Sequence, residues 1–301
     1  MTDNFKPKSG GYQKPQLSTE QWIEKRKAEK ETLYNEINET ASSVVQDADK
    51  FKGYLDVQSR NDRYSVANCL TLLKYCPNAS KLREYDDWMA DNAQGRKSDV
   101  YIKKGAKAIP ILEPYEFTKK DGTTGIDFNI KKMFDVSQTT AKQTPAPTAN
   151  RDPRALVAVM LDTSPVNVEM TDELPYPNMG AFYNNDKQTL FIKRDIGDSV
   201  ALCQCVAQEL AHAQLSIHSE TYSRKDMGFQ AMCVGYMLCK KYGVDVKNFN
   251  IERIPDEWKS RDIKEIRAEL SETRYAMSEI HSRVSDELHR QKQQRSKEQE
   301  R

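Results

Sequence analysis

Residues 206–216, V-A-Q-E-L-A-H-A-Q-L-S, match four of the five positions of the zinc-hydrolase pattern H-E-x-x-H. That pattern works because histidines at i and i+4 share one helix face and grip one zinc ion. The glutamate between them polarises the metal-bound water. Here Glu209 stands where the base belongs and His212 where the second ligand belongs, but Gln208 replaces the first histidine. A neutral amide is a far poorer zinc ligand than imidazole. A bare Glu-x-x-His is also what a surface ion pair or a polar pair at a core edge produces. His218 lies six residues after His212, the spacing of the third ligand in extended zinc motifs, yet Leu215 sits where that turn needs glycine. His281 and His289 fall in a charged tail and read as solvated.

A second group of residues could do a different job. Single-stranded nucleic acid asks for cations along its phosphates and flat side chains for its bases. Arg60, Arg63, Lys103, Lys104, Lys107, Lys131 and Lys132 supply the first, and Tyr64, Tyr75, Trp88, Tyr101 and Phe134 the second. Asn68 offers hydrogen bonds from a helix face. Taken singly, Trp88 and Phe134 read as core residues and each lysine as part of a solvated surface. The cluster carries the reading, above all K-K-G-A-K at 103–107, where a flexible turn lets a backbone approach phosphate.

Both groups need elements to hold them. S-T-E-Q-W-I-E-K-R-K-A-E-K-E-T-L-Y, from Ser18, opens with an N-cap and continues as strong helix formers to about Tyr54, with interruptions. Y-S-V-A-N-C-L-T-L-L-K-Y predicts a second helix that stops before Pro77. V-Y-I, A-I-P-I-L-E-P-Y and F-N-I-K-K-M-F-D-V are β-favouring runs separated by turn sequences. After a Pro/Thr/Ala-rich stretch at 138–150, A-L-V-A-V-M-L reads as a buried helix or strand and F-Y-N-N-D-K-Q-T-L-F-I-K as a hairpin. Zinc-peptidase folds place an edge strand before the active helix, and T-L-F-I-K-R precedes 199–217 here. A further helix from about Asp226 to Tyr242 ends at Gly243. Beyond Pro255, Ile263, Ile266, Leu270, Met277, Ile280, Val284 and Leu288 form a narrow apolar seam along a charged helix. That seam, over 262–291, fits either the rest of the chain or a second copy.

A net charge of +1 in 301 residues excludes a uniformly basic nucleic-acid coat and leaves room only for local patches. No apolar run approaches the roughly 20 residues that span a bilayer. The N-terminal M-T-D-N-F-K-P-K-S-G-G-Y lacks the apolar core of a signal peptide, so a cytoplasmic protein is expected. Cys69, Cys76, Cys203, Cys205, Cys233 and Cys239 lie mostly in apolar helical contexts without paired zinc spacing and are expected to be reduced and buried.

The order of blocks R-Y-S-V-A-N-C-L-T-L-L-K-Y-C-P-N-A-S, W-M-A-D-N, V-Y-I-K-K-G-A-K-A-I-P-I-L-E-P and K-K-M-F-D-V-S-Q-T resembles the single-stranded-DNA-binding domain of ArdC-type antirestriction proteins, over about residues 18–140. Residues 91–98, D-N-A-Q-G-R-K-S, depart from that pattern. Residues 153–250 resemble the zincin-like metallopeptidase domain of the same family, whose active helix reads H-E-x-x-H and whose next helix carries E-x-E-A-E-S-V-A-Y. The matching stretch here, G-F-Q-A-M-C-V-G-Y, has Gly228, Gln230 and Met232 in place of the acidic residues. With Gln208 altered as well, the three protein ligands of a catalytic zinc are not present.

The resemblance implies an α+β fold, with N-terminal helices and a small antiparallel sheet, then a mostly helical zincin-like domain and a long C-terminal helix. The expected division is 1–17 disordered, 18–137 DNA-binding, 138–152 linker, 153–258 pseudo-metallopeptidase and 259–301 charged helical tail. No cofactor is expected, Glu209 and His212 being remnants. Single-stranded DNA is the expected partner, in a mobile or conjugative element whose incoming strands it protects or chaperones. The alternatives are an active zinc peptidase with an unusual ligand set, or a non-catalytic interaction protein that dimerises through its tail.

Overall fold

Ser18 begins the chain's first helix by accepting a hydrogen bond from the Gln21 N–H, while the Gln21 side chain caps Ser18 in return. Such a capping box satisfies two of the donors that a helix start leaves unpaired. The structure, a computed structural model, describes residues 18–90, 100–141, 152–177, 179–194 and 197–299. The expected disorder of 1–17, the departure at 91–98 and most of the expected linker lie outside the described residues.

Helix α1 (Thr19–Gln46) buries Leu33, Ile37, Ala41, Val44 and Val45 on one stripe of its C-terminal half and leaves Trp22 and Ile23 exposed near its start. Asp47 ends α1 and caps α2 (Ala48–Arg60) with its side chain. Helix α3 (Val66–Tyr75) is capped by Ser65 and stops at Cys76, as the following proline requires. Strand β1 (Leu82–Glu84) and the short helix α4 (Tyr85–Ala90) follow, then β2 (Ile109–Thr118) and β3 (Thr124–Asp135). The sheet is antiparallel in the order β1-β3-β2, with Ile109 opposite Met133 and Thr118 opposite Thr124. Ile109, Ile111 and Leu112 anchor the base of the β2–β3 hairpin, whereas β2 is exposed from Glu113 to its tip. The expected V-Y-I strand is corrected: it contributes one isolated bridge, Ile102 to Thr139. The third strand is instead L-R-E, too short for alternation to reveal.

The second half begins with α5 (Pro153–Asp162), capped by Asp152 with proline in its first turn, which resolves A-L-V-A-V-M-L as helix. Strands β4 (Asn167–Thr171), β5 (Ala181–Asn184) and β6 (Thr189–Lys193) form a mixed sheet in the order β4-β6-β5. T-L-F-I-K is therefore the central strand rather than the expected edge; β5 is an edge, and its backbone reaches the next helix. Helices α6 (Ser199–Ile217), α7 (Gly228–Tyr242) and α8 (Asp256–Ser260) complete this half. Gly243 adopts φ +75° and stops α7, a left-handed conformation that favours glycine.

Helix α9 (Ile263–Gln299) starts at Asp262, whose carboxylate accepts from the Lys264 and Glu265 N–H groups. Its seam of Ile266, Leu270, Met277, Ile280 and Val284 is buried against the chain's own α1, α3, α5, α6 and α7. One apolar core joins both halves. The rings of Phe51, Phe229 and Trp258 meet at centroid distances of 5.0–5.9 Å. All six cysteines are free; Cys69, Cys203, Cys233 and Cys239 are buried and Cys76 and Cys205 partly so.

Candidate nucleic-acid interface and the Gln-Glu-x-x-His helix

Asp198 caps α6 by accepting from the Val200 and Ala201 N–H groups, and the helix then carries Glu209 and His212 into the interior, with Gln208 half-buried. The Glu209 side chain is only 2% exposed. Its Oε2 accepts from the Tyr183 N–H of edge strand β5 at 2.7 Å and from Arg224 Nη1 at 2.8 Å. Its Oε1 accepts from Arg224 Nη2 at 2.5 Å. The guanidinium also lies over the Phe182 ring, 4.6 Å from its centre. Burial opposes the charge on Arg224, but the Glu209 carboxylate outweighs it and raises the arginine pKa. A carboxylate clasped in this way has few lone pairs left with which to polarise a water.

His212 is buried, with Nδ1 3.0 Å from the Tyr222 hydroxyl. Burial, followed by the nearby charge of Arg224, pushes its pKa down to about 3, so the ring is neutral at ordinary pH. Gln230 donates to Glu269 of α9, which also pairs with Arg261. Met232 is partly buried against the core. Among the described residues no group of three or more His, Cys, Asp or Glu side chains could hold a metal ion. The donor set does not fit a catalytic metal. His218 caps the end of α6, 2.8 Å from Gln214 Nε2 and edge-on to Tyr275. The expectation of a solvated His281 is corrected. Its Nδ1 is 2.7 Å from the Tyr242 hydroxyl and its Nε2 3.4 Å from Asp62, while His289 is exposed.

The residues expected to meet nucleic acid fall into several places. Arg63, Tyr64, Asn68 and Lys131 line one groove of about 380 Å³ between α3 and the β2–β3 hairpin, with Phe128 and Arg274. Lys131 is held by Glu84 at 2.8 Å and Glu113 at 2.7 Å, and these carboxylates push its pKa upward. Tyr75, Lys107 and Lys132 line a second groove of about 640 Å³ against α1. Alternation along β3 separates Lys131 from Lys132 in this way. The Tyr75 hydroxyl donates to Glu36 at 2.7 Å. Lys103 and Lys104 are exposed at the turn formed by Gly105, whose φ is +84°. The Lys103 ammonium donates to the Ser137 carbonyl, and Arg60 donates to that of Pro77. Tyr101 is exposed, while Phe134 is partly buried beside Tyr85.

Two of the residues expected to touch DNA have structural work. Asn68 is 4% exposed; its amide donates to the Leu112 carbonyl and accepts from the Leu112 N–H, which pins α3 to β2. Trp88 is 3% exposed, donates to the Phe134 carbonyl and carries Arg83 5.1 Å from its ring centre. Neither offers an open ring or amide on this surface.

Other exposed side chains suit the same chemistry and were not singled out by sequence reasoning. Trp22, Tyr115, Phe117 and Phe128 are exposed aromatics on α1 and the hairpin. Arg26 lies 4.4 Å over the Trp22 ring. Phe117 covers Gly125, where an added Cβ would come within 2.6 Å of the ring. The alternation Y-E-F before a glycine turn was the available signal, since residues two apart share a strand face. A groove of about 380 Å³ near Trp22, Tyr115 and Lys30 shares Phe128 with the groove at Tyr64.

Neither the models of known protein families nor the curated proteins give a match to this chain. Solved structures do. The chain is similar to a crystal structure of the antirestriction protein ArdC from plasmid R388 in its Mn(II)-bound form. That likeness has a TM-score of 0.50 at 14% identity, over 73% of this chain and 82% of the other. The metal-free crystal form of the same plasmid protein gives 0.49 at 14% identity, over 74% and 85%. The shared feature is the fold. It is α+β, with helices, two small three-stranded sheets and a long C-terminal helix among the described residues. No described helix is long and apolar enough to cross a membrane.

Proposed function

We propose that this chain binds single-stranded DNA through the surface formed by α3 and the β2–β3 hairpin, and that its second half is a metal-free scaffold derived from a zinc-peptidase fold. The observation that carries the reading is the groove at Arg63, Tyr64 and Phe128, where cations and flat rings open onto the same space. Aromatic faces stack on bases only when the bases are unpaired, and cations follow the phosphates. The role that fits is protection or chaperoning of incoming strands in a mobile or conjugative element. It draws on the fold shared with an antirestriction protein of a plasmid and on the sequence resemblance. Clasping of Glu209 by Arg224 supports a non-catalytic second half over an active peptidase.

The test is fluorescence anisotropy of the full chain with a labelled oligonucleotide, single-stranded and as a duplex of equal length, over a salt series. Tighter binding of the single strand, weakening linearly in log salt, is expected. Equal or absent binding of the single strand at low salt overturns the reading.

A further inference from the structure

The seam of α9 is covered by the chain itself, but one flank of the helix faces the space beside the hairpin. Lys264, Arg267, Ala268 and Ser271, spaced to share a helix face, line a cavity of about 410 Å³ together with Tyr34 and Phe128. One turn further on, Arg274 enters the groove of Arg63, Tyr64 and Lys131. The two spaces share Ser65, Leu112 and Phe128, so they adjoin along α9.

The charges on this wall are held in place without being cancelled. Arg267 donates to the Asn38 side-chain oxygen at 3.2 Å and Arg274 to the Asp62 backbone carbonyl at 3.0 Å, both neutral acceptors. Arg274 Nε is buried with no hydrogen-bond partner. Lys264 is exposed. None of the three makes an ion pair among the described residues. Opposite them lie Tyr64 and Phe128, with the apolar Leu112. The α9 wall thus presents guanidinium and ammonium groups without rings, while the hairpin side presents the rings beside Arg63 and a Lys131 already paired with Glu84 and Glu113. That division matches a polymer with phosphates along one edge and bases along the other.

We propose that α9 is the second wall of the strand-binding groove, with Lys264, Arg267 and Arg274 meeting the phosphates of a single strand whose bases turn toward Tyr64 and Phe128. This rests on the single-stranded-DNA reading and adds to it a site built by the tail, the segment that sequence alone assigns to self-association or internal docking.

The experiment compares the full chain with Lys264→Glu/Arg267→Glu, using a fluorescein-labelled single-stranded oligonucleotide at several salt concentrations. Lys297→Glu, in the far part of the same helix, is the charge-matched control for the single variant Lys264→Glu. The double variant is expected to bind at least about tenfold more weakly, with a salt slope lowered by about 0.7 for each phosphate no longer neutralised, and the control to bind as wild type. Lys264→Glu alone, at an exposed position, keeps the test valid if the double variant does not fold. A photo-crosslinking residue at the exposed Ala268 gives an independent readout and is expected to capture the bound strand. Wild-type binding left unchanged by the tail substitutions, with no crosslink from position 268, overturns this inference while the function stands. Weakening by Lys297→Glu equal to that of Lys264→Glu also overturns it, since the tail would then act only through net charge. Failure of the wild type to bind single strands overturns the function and this inference with it.

Discussion

Arg224 clasps Glu209 with two guanidinium nitrogens, 2.8 and 2.5 Å from its two carboxylate oxygens. The carboxylate that would serve a metal-bound water in a zinc hydrolase is here part of an internal ion pair. Arg224→Leu should therefore leave a buried charge without its partner. Fully buried pairs lose roughly 3–5 kcal/mol when one member is removed. Arg224 is 30% exposed, so a loss of about 2–3 kcal/mol is expected. Urea denaturation measures it, and Glu209→Leu/Arg224→Leu should recover part of the loss.

The metal chemistry makes a second prediction. Wild-type protein dialysed against EDTA should retain no stoichiometric zinc and cleave no peptide, because Gln208, Gln230 and Met232 are poor zinc donors at the positions where the family resemblance would place ligands. Gln208→His with Met232→Glu should raise zinc affinity, as read by competition with a chromophoric chelator. Zinc retained by the wild type through dialysis would reverse the conclusion.

Acid sensitivity follows from His212. Its pKa falls from 6.5 to about 3 on folding, because burial and then Arg224 disfavour the charged ring. Between those values the unfolded chain binds the proton and the folded chain does not, so folding loses stability as pH drops from about 6.5 toward 3. The slope from this group is at most about 1.4 kcal/mol per pH unit. His281, also lowered chiefly by burial, acts in the same direction. His212→Phe should flatten the curve in that window, as urea titrations at pH 4 and 7 would show.

Gly235 brings α7 against α6 at Gln208. A Cβ added there would stand 3.2 Å from both the Cα and the backbone nitrogen of Gln208 and 3.1 Å from the Phe249 ring. Gly235→Ala should therefore push the helices apart and cost roughly 1–3 kcal/mol despite the better helix propensity of alanine. A melting temperature equal to or above that of wild type would contradict this.

On the DNA side, Phe128→Ala should weaken single-strand binding by roughly 1–3 kcal/mol while leaving the salt slope nearly unchanged, since stacking releases no counterions. Anisotropy at two salt concentrations separates that outcome from the loss of a cation.

Much of this molecule is legible in its sequence because local rules dominate where they are read. Ser18, Pro77 and Gly243 mark helix ends for reasons internal to a few residues, and each marks one in the structure. L-R-E at 82–84 is too short to alternate and becomes a strand only because β3 lies beside it. Asn68 shows the same limit at a side chain. Its helix is readable, but its two bonds to Leu112 cross 44 residues of chain. The Arg224 clasp has no local signal, since nothing in S-R-K-D-M marks that arginine as the partner of a glutamate 15 residues earlier. Arg274 likewise joins the groove only through the docking of α9.

The cluster of Phe51, Phe229 and Trp258 has a kinetic consequence. On a ribosome adding about 5–20 residues per second, roughly 10–40 s separate the synthesis of Phe51 from that of Trp258. During that interval α2 has emerged without the rings that cover it, and its aromatic side chain stays open to the surrounding water. The nascent chain should therefore be a customer for chaperones that hold exposed aromatic segments, and a ribosome stall between residues 60 and 229 should favour aggregation over folding.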